Sequence, residues 1–120
     1  METKFIYAFE FHTDEALCEY LKDLFEVENI EDIDILELFE GDPDMIKIDG
    51  YLSPFIDIVI DGIRYVLFTD EDAKCALEKF YSDKLERVEY NKNSWDYFDS
   101  QKNVLAYRGG KGYNYVLYNF

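Results

Sequence analysis

The chain has 120 residues, is 48% hydrophobic and 18% aromatic, and carries a formal net charge of −15 at pH 7. Its length predicts one domain spanning residues 1–120, and its hydrophobic content excludes an intrinsically disordered chain, which would have too little apolar surface to form a core. The negative charge argues against direct binding to nucleic acid, whose affinity for proteins comes from Lys and Arg, and against binding to an anionic membrane.

Two further features bear on location. No apolar run approaches the roughly 20 residues that span a bilayer, and the first residues lack the basic and apolar regions of a signal peptide. We therefore expect a cytoplasmic protein.

Most of the excess charge lies in one third of the chain. Residues 10–49, the acidic segment, contain fifteen Asp and Glu against two Lys, a net charge of −13. The residues that follow carry eleven acidic and nine basic side chains, and the first nine residues are neutral overall. Because a concentration of like charge opposes folding, we expect the acidic segment to form a surface for a basic partner.

The first predicted elements are a strand and an amphipathic helix. Residues 4–11 alternate between Ile6 and Ala8 on one face and four aromatic side chains on the other, Phe5, Tyr7, Phe9 and Phe11. Thr13 has the residue type of a helix N-cap. Over residues 14–27 apolar side chains recur at intervals of three and four, which predicts a helix with one buried face: Leu17, Tyr20, Leu21, Leu24 and Phe25.

The next stretch is less regular. Residues 28–40 fit a helix through one set of apolar side chains and a strand through another, so their period is ambiguous. We expect a short helix or turn that leads into a strand near residues 35–39. Residues 41–44 contain Gly, Asp and Pro and predict a turn, after which residues 45–52 form a strand with Ile46 and Ile48 on one face.

The clearest local signal is a β-hairpin. Two apolar runs, residues 55–60 and 63–68, flank an Asp-Gly pair at 61–62, which is typical of a two-residue type I′ turn. A second helix then begins at residues 69–72, with Thr69 as its predicted N-cap, and its apolar period continues to Leu85.

The C-terminal part completes the fold. An aromatic group at residues 95–98 precedes a final hairpin, formed by residues 104–107 and 113–120 around a Gly-rich loop at 108–112. The last strand is either tucked into the sheet or forms an unpaired edge that would pair with a second copy in a homodimer. The elements together predict an α+β domain, with a mostly antiparallel sheet of five or six strands, two amphipathic helices on one face and the C-terminal β-hairpin at an edge.

The outer face of the first predicted helix carries a column of carboxylates. Like charges three or four residues apart on a helix cost a few tenths of a kcal/mol per pair, so a sequence shaped by folding alone would place Lys among them, yet only Lys22 is present. Carboxylates on successive turns lie about 5–6 Å apart, a spacing that resembles the phosphates of a nucleic acid. We expect this acidic column to bind Arg and Lys of a protein partner through Glu15, Glu19, Asp23 and Glu26.

Further acidic residues project outward under either interpretation of residues 28–40. We expect three of them, the acidic turns, to extend the partner-binding surface: Glu31, Asp34 and Glu37.

Other residues that could carry chemistry give weaker signals. Cys18 and Cys75 fall in predicted helices and fit no metal-ligand spacing, so we interpret both as reduced core thiols. His12 stands between a strand and a helix cap, where a boundary role is commoner than catalysis. The Gly-rich loop lacks the spacing of a phosphate-binding loop and does not open a helix. We therefore expect no catalytic site, cofactor or metal ion.

In size, charge and aromatic content the chain resembles the small acidic proteins that phages encode against host defence, the DNA-mimic anti-restriction and anti-CRISPR proteins. The segment YVLFTDEDAKCALEKFY also resembles a strand–TDE–helix stretch of small phage proteins. These proteins share no common motif, so the resemblance assigns no residue by position. It implies a viral inhibitor, acting in the host cytoplasm, that binds a basic nucleic-acid-binding protein such as a nuclease or a CRISPR effector.

Two other functions remain open on the sequence alone. An immunity or antitoxin protein that neutralises a basic nuclease toxin would need the same acidic surface. A small hydrolase or nucleotide-modifying enzyme, using His12 or a pair of carboxylates, would instead need a concave pocket with converging polar groups.

Overall fold

A computed structural model describes residues 1–41, 43–48 and 51–82, and the backbone alone of residues 86–89, 104–108 and 113–116. Its strands, in chain order, are β1 Glu2–Tyr7, β2 Asp44–Ile48, β3 Tyr51–Ile60, β4 Ile63–Phe68, β5 Glu86–Glu89, β6 Val104–Arg108 and β7 Tyr113–Val116. The α-helices are α1 Glu15–Phe25 and α2 Ala73–Ser82, and short 3-10 helices occupy Ala8–Thr13, Ile30–Asp32 and Ile35–Phe39. The predicted α+β class is confirmed.

The described strands form one sheet in the order β1-β4-β3-β2-β6-β7-β5. β1 pairs with β4 in parallel, with Phe5 opposite Val66, whereas β4, β3 and β2 are joined by antiparallel pairings. The sheet is therefore mixed, and the prediction of a mostly antiparallel sheet is wrong. A parallel pair needs a long crossover, and residues 8–62, which include α1, β2 and β3, connect β1 to β4.

The two helices lie on opposite faces of the sheet, which corrects the prediction that they share one. Tyr65 and Leu67 of β4 face the side covered by α1, and Val66 and Phe68 face the side covered by α2. All four side chains are at most 2% exposed. β4 is thus buried on both faces, which explains why it lacks the polar alternation of a strand with one wet face.

Each face of the sheet has its own core. On the α1 side the buried residues include Leu17 and Leu21 of the helix and Ile33 and Ile35 of the acidic segment. On the α2 side Ile46 and Ile48 of β2, both buried as the predicted strand requires, pack with the buried side chains of the helix, Ala73, Leu77 and Phe80. Burial of large apolar side chains of this kind stabilises the fold by about 1.5–3 kcal/mol each.

The N-terminal strand is shorter than the predicted residues 4–11. β1 ends at Tyr7, and the chain continues as the 3-10 helix Ala8–Thr13. The turn breaks the alternation, so that Phe11 is buried on the α1 side with Ala8, whereas Phe5 and Tyr7 contact the core on the α2 side. Three of the four aromatic residues assigned to one face are therefore divided between two, and the fourth, Phe9, is exposed.

The predicted strand near residues 35–39 is also wrong, because these residues form a 3-10 helix. The Asp34 carboxylate accepts a hydrogen bond from the Leu36 amide at 3.2 Å, which caps a turn rather than extending a strand. Ile33 and Ile35 are buried on either side of Asp34 and anchor the turn to the core. Their spacing of two residues, which suggested a strand, comes from this turn.

The central hairpin is confirmed. Ile60 pairs with Ile63 across the turn, and Asp61 and Gly62 both have positive φ, 50° and 81°. These are the signs of φ that a type I′ turn requires. Helix α2 follows, but Asp70 rather than the predicted Thr69 organises its start, since the Asp70 carboxylate accepts a hydrogen bond from the Asp72 amide at 2.9 Å.

The C-terminal strands differ from the prediction in their place in the sheet. β6 and β7 pair antiparallel, as a final hairpin requires, but β7 also pairs with β5, which was not predicted. β7 therefore has neighbours on both sides over Tyr113–Val116, which agrees with the alternative of a strand tucked into the sheet and not with an unpaired edge. The homodimer through this strand stays a prediction. The predicted aromatic group at 95–98 and the Gly-rich loop at 109–112 lie outside the described residues.

Candidate partner-binding surface

Helix α1 is fixed to the sheet through its N-cap residue. Asp14, rather than the predicted Thr13, is the N-cap, and its carboxylate accepts a hydrogen bond from the Leu17 amide at 3.0 Å. The other carboxylate oxygen of Asp14 accepts a hydrogen bond from the Lys4 ammonium of β1 at 3.2 Å. This acidic residue therefore joins strand β1 to the start of α1, and it is not among the residues predicted to bind a partner.

The pKa values of this pair follow from the same contacts. Burial raises the pKa of Asp14, but the Leu17 amide and the Lys4 ammonium outweigh burial and hold it below its usual value. The hydrogen bond to Asp14 raises the pKa of Lys4. Both groups are consequently charged at neutral pH, and the contact between strand and helix persists there.

The exposed face of α1 carries three of the four carboxylates of the predicted acidic column. Leu17, Cys18 and Leu21 are buried against the sheet, whereas Glu15, Glu19 and Asp23 are exposed. Because the helix rises about 1.5 Å per residue, carboxylates four residues apart lie about 6 Å apart along its axis. The 3.6-residue period thus placed these carboxylates correctly on the solvent side.

Glu26 departs from the column. Helix α1 ends at Phe25, and Glu26 is its C-cap in the left-handed conformation, with φ 57° and ψ 44°. Its side chain is exposed, but its direction no longer follows the helical period. Together with Asp23 it places negative charge at the helix C-terminus, where the helix dipole disfavours it.

Only one member of the column is neutralised by a cation in the described part of the chain. Lys22 contacts Glu19 at 2.9 Å, and this hydrogen bond raises the pKa of Lys22. Among residues 1–41, 43–48 and 51–82, no cation forms an ion pair with Glu15, Asp23 or Glu26. The column therefore keeps most of its negative charge.

The acidic turns lie on the same side of the sheet as α1. Glu31, Asp34 and Glu37 are all exposed, and the intervening Ile33 and Ile35 belong to the same core as Leu17 and Leu21. Asp34 is partly occupied as the cap of Leu36, whereas Glu31 and Glu37 form no ion pair with the described cations. The elements that carry the acidic column and the acidic turns thus pack on the same hydrophobic core. We call the column and the turns together the acidic surface.

Two apolar side chains accompany these charges. Leu24 of α1 and Leu36 of the 3-10 helix Ile35–Phe39 are 52% and 48% exposed. Protein interfaces combine apolar contact area with a polar rim. Neither leucine was expected at a surface, since the helical period placed Leu24 on the buried face and the ambiguous period left Leu36 unassigned.

The sequence also singled out His12, Cys18 and Cys75. His12 is exposed, with its ring edge-on to Phe11 at 6.3 Å between centroids. Burial raises the pKa of the Cys18 thiol, which disfavours the reactive thiolate. Cys75 is exposed on α2, so its interpretation as a core thiol is wrong. No group of three or more His, Cys, Asp or Glu side chains within the described residues could hold a metal ion.

One feature was missed by sequence reasoning. A groove of about 390 Å³, the aromatic groove, lies beside β1 on the α2 side and is lined by Phe5, Tyr7, Glu10, Phe68, Glu71 and Lys74. The alternation of residues 4–11 indicated that Phe5 and Tyr7 share a face. It could not show that β4 lies beside them, and without that neighbour Phe68 and the start of α2 could not be placed near Tyr7.

No protein-family model matches the chain, and no characterised protein or solved structure shows significant similarity to it. None of the described helices has the length and apolar character needed to cross a lipid bilayer.

Proposed function

We propose that this chain is an inhibitor of a nucleic-acid-binding host defence protein, of the anti-CRISPR or anti-restriction type, and that it acts through the acidic surface. The observation that carries the proposal is the set of exposed carboxylates on α1 and the following turns, most of which have no cation beside them in the described part of the chain. The charge of such a surface is available to an external cationic group, because few of its carboxylates form ion pairs with described residues of the chain.

The acidic column destabilises the free protein and attracts cations. Glu15 and Asp23 each lie four residues from Glu19, and like charges at that spacing destabilise a helix by a few tenths of a kcal/mol per pair, a cost that the contact of Lys22 with Glu19 reduces. Carboxylates about 6 Å apart on a rigid helix offer anchoring points to the Lys and Arg that a protein uses to hold phosphates. A field of one sign also accelerates encounter with an oppositely charged partner.

The acidic surface also supplies apolar contact area. Leu24 and Leu36 are about half exposed among the carboxylates, and burial of apolar side chains contributes affinity that salt does not screen. Binding through this surface should therefore weaken as salt is raised but should not vanish.

A pull-down from host-cell lysate with salt titration tests the proposal. The tagged wild-type chain should retain a basic nucleic-acid-binding protein at low salt and release part of it as salt rises. Asp23→Lys and Glu37→Lys should reduce retention, whereas Glu78→Lys, an equal charge change on the opposite face of the sheet, should not. Retention that is indifferent to Asp23→Lys and Glu37→Lys would refute the proposal.

The same observation supports an immunity protein that neutralises a basic nuclease toxin, because the physical requirement at the surface is identical. The two functions are distinguished by what the captured protein does. Inhibition of a host restriction or CRISPR nuclease supports the first, and protection of cells from a secreted or plasmid-borne nuclease toxin supports the second.

A further inference from the structure

The wall and floor of the aromatic groove are built before any ligand binds. Phe68, at its floor, is 2% exposed. Tyr7 packs against Phe68 with 6.1 Å between ring centroids and against Phe9 with 5.4 Å, and Phe5 packs edge-on against Tyr81 at 6.1 Å. Because each ring of the wall is held by another ring, a ligand would meet an ordered aromatic surface at little entropic cost.

The rim of the groove carries charge from two separate elements. Glu10 comes from the 3-10 helix Ala8–Thr13, where the Thr13 hydroxyl donates a hydrogen bond to its carbonyl at 2.9 Å. Glu71 comes from the turn before α2, and Lys74 from the first turn of that helix. All three side chains are exposed, and none forms an ion pair with another described residue. Two carboxylates and one ammonium thus line the groove, which gives its lining a net charge of −1.

This combination selects the chemistry of the ligand. The faces of Phe and Tyr rings attract cations, and two carboxylates outweigh one ammonium. A planar guanidinium can stack on an aromatic ring while it donates paired hydrogen bonds to a carboxylate, whereas a Lys ammonium is a compact and more strongly hydrated charge. Arginine also carries its charged group on a long aliphatic stem, which can lie along apolar surface.

We propose that the aromatic groove binds the guanidinium group of an arginine side chain presented by a protein partner. The guanidinium stacks on Tyr7 and donates hydrogen bonds to Glu71 and Glu10. The aliphatic stem of Lys74 closes the groove, and its ammonium opposes the bound charge. The groove is on the α2 side of the sheet, so this inference does not depend on the acidic surface or on the function proposed for it.

Titration of the full-length chain with small probes, followed by NMR, tests the inference without a partner. N-acetyl-arginine amide should produce saturable chemical-shift changes at Tyr7, Glu71 and Lys74. N-acetyl-citrulline amide, which has nearly the same shape but no charge, and N-acetyl-glutamate amide, which is anionic, should not. Citrulline binding as tight as that of arginine, or binding of the anionic probe alone, would overturn the assignment.

Variants at the groove give effects of opposite sign, which a merely structural role would not produce. Tyr7→Leu and Glu71→Gln should each weaken binding of the arginine probe by about two- to five-fold. Lys74→Gln should strengthen it, because this change removes a like charge, and Glu78→Gln, outside the groove, should leave it unchanged. If Tyr7→Leu fails to fold, Glu71→Gln and Lys74→Gln still test the inference, because both positions are exposed. Unchanged affinity for the arginine probe in both variants would reject it.

Discussion

Asp23→Lys separates the effect of the acidic surface on folding from the role in partner binding that we propose for it. Asp23 is exposed, lies in the last turn of α1 and forms no ion pair with a described residue. Replacement by Lys removes its repulsion with Glu19, creates an attractive pair at the same four-residue spacing, and places positive charge at the helix C-terminus. If the acidic column is maintained for a partner, this substitution should stabilise the free protein and weaken its complex.

The magnitude follows from the geometry of the helix. The exchange of a repulsive for an attractive pair is worth about 0.5 kcal/mol, and the interaction with the helix dipole adds about 0.3–1 kcal/mol. The free energy of unfolding should therefore rise by about 1 kcal/mol, which corresponds to roughly 4 °C in Tm for a domain of this size.

Two assays are needed because the two effects have opposite signs. Thermal and urea unfolding at low ionic strength measure stability, and the gain should shrink at high salt. Affinity for the captured partner should fall by about ten-fold, equivalent to about 1.4 kcal/mol. Glu78→Lys on α2 is the matched control, because it changes net charge equally but should leave the affinity unaltered. A stability loss in Asp23→Lys, or unaltered affinity, would refute the reasoning.

Three further predictions concern the fold. Asp14→Asn keeps an N-cap residue but loses the ion pair with Lys4. Because the pKa of Asp14 is lowered in the folded state, the stabilising effect of its charge is complete at neutral pH and disappears as pH falls below about 4. The urea midpoints of wild type and variant should therefore differ at pH 7 and converge in acid. Gly62→Ala should cost about 1 kcal/mol in urea unfolding, since φ is 81° and an added Cβ meets no atom within 4 Å, and an unchanged midpoint would contradict a type I′ turn. Exposed Cys75 should react with DTNB in the native state, whereas buried Cys18 should react only on unfolding; equal native rates would contradict the packing of α1.

Features set by neighbouring residues in the chain were predictable from the sequence. The β3–β4 hairpin follows from Asp61-Gly62 between two apolar runs, because the turn type is fixed by these two residues. The exposure of Glu15, Glu19 and Asp23 follows from the helical period, since it depends only on which face of α1 is apolar.

Features set by distant contacts were not predictable. The parallel pairing of β1 with β4 joins residues about sixty positions apart, and no local pattern in either strand specifies it. The burial of both faces of β4 requires one helix on each side of the sheet, although the period of each helix taken alone fits a shared face equally well.

Competition between packing and local pattern explains the remaining differences. Ile33 and Ile35 alternate as in a strand, but the Asp34 carboxylate accepts a hydrogen bond from the Leu36 amide and forms a turn. Both isoleucines are buried in the core on either side of this turn. In the candidate site, exposure of the acids could be predicted, whereas the left-handed conformation of Glu26, which removes it from the column, depends on where α1 ends.

Competition with nucleic acid is the most direct measurement of whether the acidic surface occupies a phosphate-binding site. The isolated partner is saturated with the wild-type chain, and the DNA or RNA that the partner normally binds is added in increasing concentration. The predicted result is mutually exclusive binding, with weaker competition by the Asp23→Lys variant and unchanged competition by the Glu78→Lys variant. A ternary complex that contains the chain, the partner and the nucleic acid at full occupancy would contradict it.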